Sequence, residues 1–255
     1  MPDKLCTIQS KIDGIAIVTV SGSPAVATVE LLLSLQRRFA TLAGDDHIRG
    51  VLLTGTPQGF CCCQRVQNCT LNESARLSSL GQQVMFALEK LGKPCLTVIE
   101  QRCTDLGLEL ALASDFIIAG QGASFGFPAI ADGMIPFCGG SQRLARLVGK
   151  AKTKEIMFTG DTIDGEEAYR IGLVNRLYPS GEALPRAEEL LAHICTRSPS
   201  AIRIGGEVVN AGYDIDLATA CLLERDAFAL CFSRFDQREG MQAFLDTRQP
   251  QFSGE

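Results

Sequence analysis

The chain has 255 residues, 46% hydrophobic and 21% charged, which suits one soluble α/β domain or a domain with a small appendage. A formal net charge of −5 without a basic block argues against a nucleic-acid partner, and an anionic ligand would need a local basic cluster against that field. No apolar run approaches a membrane span, and Met1–Ser10 has neither an apolar signal core nor an Arg-rich amphipathic start, so no membrane partner is expected and the reading is cytoplasmic.

Gly14–Val20 reads as a buried strand, and Val29–Leu42 as a helix with Leu32, Leu35, Phe39 and Leu42 on one face. Gly50–Gly55 is a second buried strand, followed by an irregular stretch over Gly59–Cys69. That stretch holds Cys61, Cys62, Cys63 and Cys69 of the 11 cysteines. An odd cysteine count without a signal peptide implies reduced thiols. Without a C-x-x-C pair, and with only His47 and His193 as imidazoles, buried thiols at small-residue positions are the reading and no metal is expected. Ser74–Leu91 is helical and stops at Gly92-Lys93-Pro94. Cys95–Ile99 is a third strand, Leu106–Ala113 a short helix and Phe116–Ala119 a fourth strand. Helices follow near 142–148, 152–158, 165–171, 182–194, 201–211, 217–232 and 237–245. Strands alternating with helices to about residue 130, then helices alone, predict an α/β layer followed by a helical segment.

The segments Gly59–Arg65, Leu106–Ala111, Pro136–Leu144, Phe158–Gly160, Ala168–Val174 and Arg238–Leu245 occur in an order that resembles the crotonase (enoyl-CoA hydratase/isomerase) superfamily. Gly59-Phe60-Cys61-Cys62-Cys63-Gln64-Arg65 stands where that family has F-x-A-G-x-D. Leu106-Gly107-Leu108-Glu109-Leu110-Ala111 stands where it has a triple-glycine turn and x-E-L-A. Pro136-Phe137-Cys138-Gly139-Gly140-Ser141-Gln142-Arg143-Leu144 is similar to P-x-x-G-G-T-Q-R-L. Phe158-Thr159-Gly160, Ala168–Val174 and Arg238–Leu245 complete the series. The resemblance implies a ββα spiral core over residues 1–195, a C-terminal helical oligomerisation region over 196–255, and trimers or hexamers. It also implies an acyl-CoA or acyl-carrier thioester as substrate, with coenzyme A as part of that substrate and no separate cofactor.

Carried over residue by residue, the resemblance makes the backbone amides of Gln64 and Leu106 an oxyanion hole for a thioester enolate, where loss of one donor typically costs about 2.7–4 kcal/mol. Glu109 is the one family carboxylate kept; the alternative is a helix-surface or structurally paired glutamate. The family's second carboxylate, in F-G-x-P-E, is replaced in Phe125-Gly126-Phe127-Pro128-Ala129. Glu100 and Asp132 are nearby in sequence as substitutes. Asp105, just before the short helix, is read as a helix N-cap; turned inward it would compete with the oxyanion. Cys62 stands at a small-residue position of the adenine pocket. Arg65 and Arg248 are candidates for phosphate contacts, or else surface arginines. Phe127, Ala129 and Phe137 line the acyl pocket, or the two rings simply fill it. Ser21–Ala27 offers no charge to a coenzyme.

With one carboxylate, isomerisation or decarboxylation needs less machinery than hydration, and Glu109→Gln is expected to remove proton transfer with the fold intact. The alternative is a non-catalytic paralogue serving as a binding or scaffold subunit. Leu217, Cys221, Leu222, Phe228, Cys231, Phe232 and Phe235, then Met241, Phe244 and Leu245, recur at helical spacing and predict either a subunit contact or a stripe packed on the chain's own core.

Overall fold

The computed structural model describes residues 5–10, 14–20, 28–61, 66 and 69–255. Its centre is a sheet of buried, β-branched and leucine-rich strands. β1 (Cys6–Ser10), β2 (Ile15–Val20), β3 (Gly50–Thr54), β4 (Cys95–Ile99), β6 (Phe116–Gly120) and β9 (Arg176–Tyr178) lie side by side in that order. β1 pairs antiparallel with β2, and every later pair is parallel. Parallel strands need crossovers, and both faces are then covered, so β4 is buried at all its positions. α1 (Thr28–Ala43) and α2 (Leu71–Glu89) serve two of those crossovers. Leu31, Leu32, Leu35, Phe39 and Leu42 of α1 join the larger core. α2 starts on a capping box between Thr70 and Glu73. α7 (Ala183–Cys195) covers the other face through Ala183, Ala187 and Leu191, against Ile17, Leu52, Leu96 and Ile118.

A second sheet is built from strands too short to show a period in sequence. β5 (Arg102–Thr104) pairs parallel with β7 (Ser124–Gly126), and β7 pairs antiparallel with β8 (Ile163–Asp164). These, with β1 and β9, were not anticipated. Each expected strand and helix is found, with ends shifted by a few residues. α3 (Leu106–Ala111) follows β5, and a 3₁₀ turn, η1 (Pro128–Asp132), follows β7. α4 (Gly140–Val148), α5 (Lys150–Thr159) and α6 (Gly165–Arg170) come next.

α8 (Pro199–Gly212), α9 (Leu217–Cys231) and α10 (Phe235–Leu245) close the chain. Their attachment runs through Asp236, which is buried. It accepts from the hydroxyl of Ser198 at 2.6 Å and from the amides of Ser253 and Gly254 at 2.9 and 3.2 Å. α9 has no buried residue, and Phe228, Phe232, Leu222 and Leu217 of the expected stripe are exposed. Within one chain that stripe does not pack on its own core. No helix among the described residues is long and apolar enough to cross a membrane. The thiols of Cys6, Cys61, Cys95, Cys103 and Cys138 are buried and fill core space.

Candidate active site

The pairing of β5 with β7 places Thr104 opposite Gly126, so the chain leaving each strand enters the same corner. From β5 it turns at Asp105 into α3; from β7 it passes Phe127 and Pro128 into η1. Asp105 has φ 50° and ψ −120°, the conformation of the first central residue of a type II′ turn, where glycine is usual. Holding an aspartate there costs on the order of 1–3 kcal/mol. The amide of Asp105 donates to the Gly126 carbonyl at 3.1 Å, and its Oδ1 accepts from the Ala129 amide at 3.0 Å.

The Asp105 side chain therefore does not cap α3, contrary to the expectation. It makes no cap bond to the helix, because the 3₁₀ turn that follows β7 offers the Ala129 amide instead. The Leu106 amide, first in α3 and in a residue 2% exposed, donates to no acceptor among the described residues. The first turn of a helix leaves such amides unsatisfied, and here they carry the positive end of the helix dipole into a buried corner. The amide of Gln64, the other expected donor, lies outside the described residues, as do Cys62, Arg65 and the loop Ser21–Ala27.

Glu109 stands one turn into α3 and is 1% exposed. Its Oε1 accepts from the Phe137 amide at 3.1 Å. Its Oε2 accepts from the amides of Cys138 and Gly140, both at 2.7 Å. Those donors form the entry to α4, whose N-cap residue Gly139 has no side chain to supply the bond. Glu109 thus caps a neighbouring helix, with negative charge at its positive end. Burial raises the Glu109 carboxyl above its ordinary range; the three amides and the positive charge of Arg143 offset part of that rise. Both the acid reading and the structurally paired reading thus find support in one residue.

The walls are close. A Cβ on Gly140 would lie 2.7 Å from Glu109 Cγ and 3.0 Å from Phe127 Cζ. Gly140→Ala is therefore expected to push Glu109 off its amides and to destabilise by about 1–3 kcal/mol in urea denaturation, as overpacked sites do. Phe127 is buried and fills space beside Glu109. Phe137 is half-buried against α2, its carbonyl accepting from the Ser78 hydroxyl at 2.6 Å. Ala129 is half-buried at the start of η1 and carries no acid.

The other sequence candidates fall elsewhere. Glu100 accepts from the amides of Gly181 and Ala183 at 2.8 and 2.9 Å, capping the approach to α7. It is a structural cap and not a substitute acid. Asp132 is exposed at the end of η1. Arg248 grips Glu239 through both terminal nitrogens at 2.7 and 2.9 Å, with Asp246 at 3.4 Å. The Glu239 carboxyl is held down at about 2 by that grip. A phosphate at Arg248 would compete with two of the chain's own carboxylates. Arg143 and Glu89 pack beside the Glu109 turn and were not singled out. The signal was present in Gly139-Gly140-Ser141-Gln142-Arg143, an arginine one turn into a helix behind its glycines.

Parallel strands, a short helix whose first amide meets no acceptor among the described residues, and the buried carboxylate of Glu109 come together at this corner, and comparison gives the chain a family. The enoyl-CoA hydratase/isomerase family model matches residues 13–255, and the chain belongs to that family. It is 33% identical over 251 residues to a crotonyl-CoA hydratase of Syntrophomonas wolfei, covering 96% of each chain. It is 31% identical over 247 residues to a short-chain-enoyl-CoA hydratase of Clostridium acetobutylicum, covering 94% of this chain and 95% of the other. The crystal structure of an enoyl-CoA hydratase from Bacillus anthracis superposes with a TM-score of 0.90 at 28% identity, over 99% of this chain and 100% of that one. DspI of Pseudomonas aeruginosa gives 0.92 at 29%, over 98% and 97%. The crotonase-type fold expected from the motifs is thereby shown.

Proposed function

We propose that this chain binds an acyl-CoA or acyl-carrier thioester and stabilises its enolate, as an isomerase or decarboxylase and not as an efficient hydratase. The carrying observation is the open Leu106 amide. Asp105, the nearest carboxylate in sequence, is engaged with the Ala129 amide and leaves the helix end open to a developing oxyanion. Glu109 is the single family acid. Its raised carboxyl pKa suits delivery of a proton to an enolate carbon, and its burial suits chemistry away from bulk water. Splitting water calls for a second positioned acid, and residue 129 is alanine.

Calorimetric titration with coenzyme A, followed by product analysis on 3-enoyl, 2-enoyl and malonyl-type thioesters, tests this. Bond migration or loss of CO₂ is expected to outpace hydration. Crotonyl-CoA hydration near a common enzyme rate of about 10 s⁻¹ would reject the reading. A second reading, a non-catalytic binding subunit, draws on the occupancy of both Glu109 oxygens by backbone amides. Coenzyme binding with no turnover on any of the three classes would establish it.

Residues 196–255 act in this proposal as the oligomerisation region of a homotrimer or hexamer. The support is α9, a 15-residue helix with no buried position, bearing an edge-to-face pair between Phe228 and Phe232 at 5.1 Å. Closed symmetry buries such a face without leaving an open end. Light scattering is expected to return three or six times the 27.4 kDa chain mass; a monomer at micromolar concentration contradicts it.

A further inference from the structure

The turn that holds Glu109 is itself held from behind. Arg143, in the first turns of α4, meets Glu89 at the end of α2, with Nε 2.6 Å from Oε1. Its Nη1 donates to the Cys138 carbonyl at 3.0 Å, and its guanidinium carbon lies 5.3 Å from the ring centre of Phe86. The Arg143 side chain is 15% exposed and that of Glu89 30%. Gly139, at φ 101°, leaves room for the guanidinium to lie against the turn; a Cβ there would collide with Nη1. Cys138 is the shared element. Its N–H points to Glu109 while its C=O receives Arg143.

We propose that Arg143 and Glu89 form a positioning pair that fixes the seat of Glu109 and sets the charge it faces. Arg143 presents a positive charge towards the buried acid, and Glu89 tempers that charge from the far side. The contacts are non-local, 54 residues apart for the pair, so the device links α2 to α4 across the site. Asp115, just before β6, accepts from the Cys95 amide at 2.8 Å and lies within electrostatic reach of Glu89 as a like charge; it is no part of the Glu109 seat. Further charged groups on the surrounding elements are turned to different tasks. Asp105 at the head of α3 accepts from Ala129; Asp132 on η1 and Arg102 on β5 are exposed. Arg146, further along α4, pairs with Asp214. The Cys138 side chain packs against Gly81 of α2.

The pair makes a prediction with two opposite signs. Loss of the arginine charge leaves Glu109 buried with its amides alone, so its proton is held to higher pH. Loss of the Glu89 charge leaves Arg143 in place, held by Cys138 and Phe86, and its unshared charge favours ionised Glu109. A role in packing alone gives no reason for opposite shifts.

The consequence for catalysis rests on the acyl-thioester reading, but the test needs no substrate. In the full chain with ¹³C-carboxyl glutamate, the Glu109 resonance is identified by its loss in Glu109→Gln, and its titration is followed by NMR. Arg143→Met is expected to raise the midpoint by about one pH unit and Glu89→Gln to lower it. Arg143→Lys, which keeps the charge, is expected to stay near the wild-type midpoint. A Glu89→Gln midpoint that is unchanged or raised overturns the proposal, and so does a folded Arg143→Met whose midpoint is unchanged or lowered. If Arg143→Met does not fold, Glu89→Gln decides. Shifts of the expected sign in a protein that turns over no thioester would support the pair and reject the proposed activity.

Discussion

Replacing Glu109 by Gln is expected to lower any proton-transfer rate by 10²–10⁴, the usual worth of a positioned acid or base, and to weaken the fold as well. The first effect follows from removal of the titratable group. The second corrects the expectation of an intact fold. Both carboxylate oxygens of Glu109 accept backbone amides, Oε1 one and Oε2 two. A carboxamide has one acceptor oxygen, so its NH₂ must face at least one of those N–H groups. An unsatisfied buried donor costs about 1–3 kcal/mol.

The pH dependence distinguishes the two effects. The Glu109 carboxyl is raised in the folded state, so its contribution to stability is fully present below the unfolded pKa and is lost as pH rises through the folded one. The stability deficit of Glu109→Gln against wild type is therefore expected to shrink with rising pH in that window, measured by urea denaturation. A deficit that grows with pH, or a mutant with the full wild-type rate on an active substrate, removes Glu109 from its proposed role.

Ala129→Glu is expected to raise hydration of crotonyl-CoA by about 10²-fold or more, by supplying the second acid. Its environment is not neutral. The Ala129 amide already holds the Asp105 carboxylate at 3.0 Å, so a new carboxylate enters beside an existing one. Like charges at close range push one carboxyl pKa up and hold back its ionisation. Asp105→Gly removes that charge and relieves the positive-φ strain at the same time. The double variant is thus expected to exceed Ala129→Glu alone, with strong non-additivity, since the two positions share one hydrogen bond. Hydration that stays at the wild-type level in both variants, with folding and coenzyme binding retained, means that residue 129 is not where the missing acid belongs.

Sequence revealed those parts of the molecule whose physics is local. Buried strands such as Cys95–Ile99 and amphipathic helices such as Thr28–Ala43 announce themselves by run and period. The three-residue strands Arg102–Thr104 and Ser124–Gly126 are too short to carry a period, and they exist because they pair with each other. The site divides the same way. Glu109, Leu106 and Ala129 were legible as candidates because motifs mark positions along the chain. Their partners were not, because each is set by chain segments meeting in space. Asp105 reaches residue 129 through the register of β5 on β7. Glu109 reaches residues 137–140 because α4 begins on glycines and lacks a cap of its own. Propensity alone gives an aspartate before a helix the role of N-cap; the neighbouring 3₁₀ turn offered a different amide and prevailed.

The buried thiols give the chain a built-in gauge of its own opening. Cys95 is enclosed, and burial, with Asp115 beside it, pushes its thiol well above the ordinary range. Cys6, Cys103 and Cys138 are likewise sealed, while Cys69 and Cys221 stand at the surface. Only a thiolate that reagent can reach reacts. Alkylation should therefore separate into a prompt phase at the surface and a slow one that counts excursions of the interior to solvent. Mass spectrometry of the slow phase would rank these regions by how often each comes apart, with Cys138 reporting on the Glu109 turn and Cys95 on the central sheet.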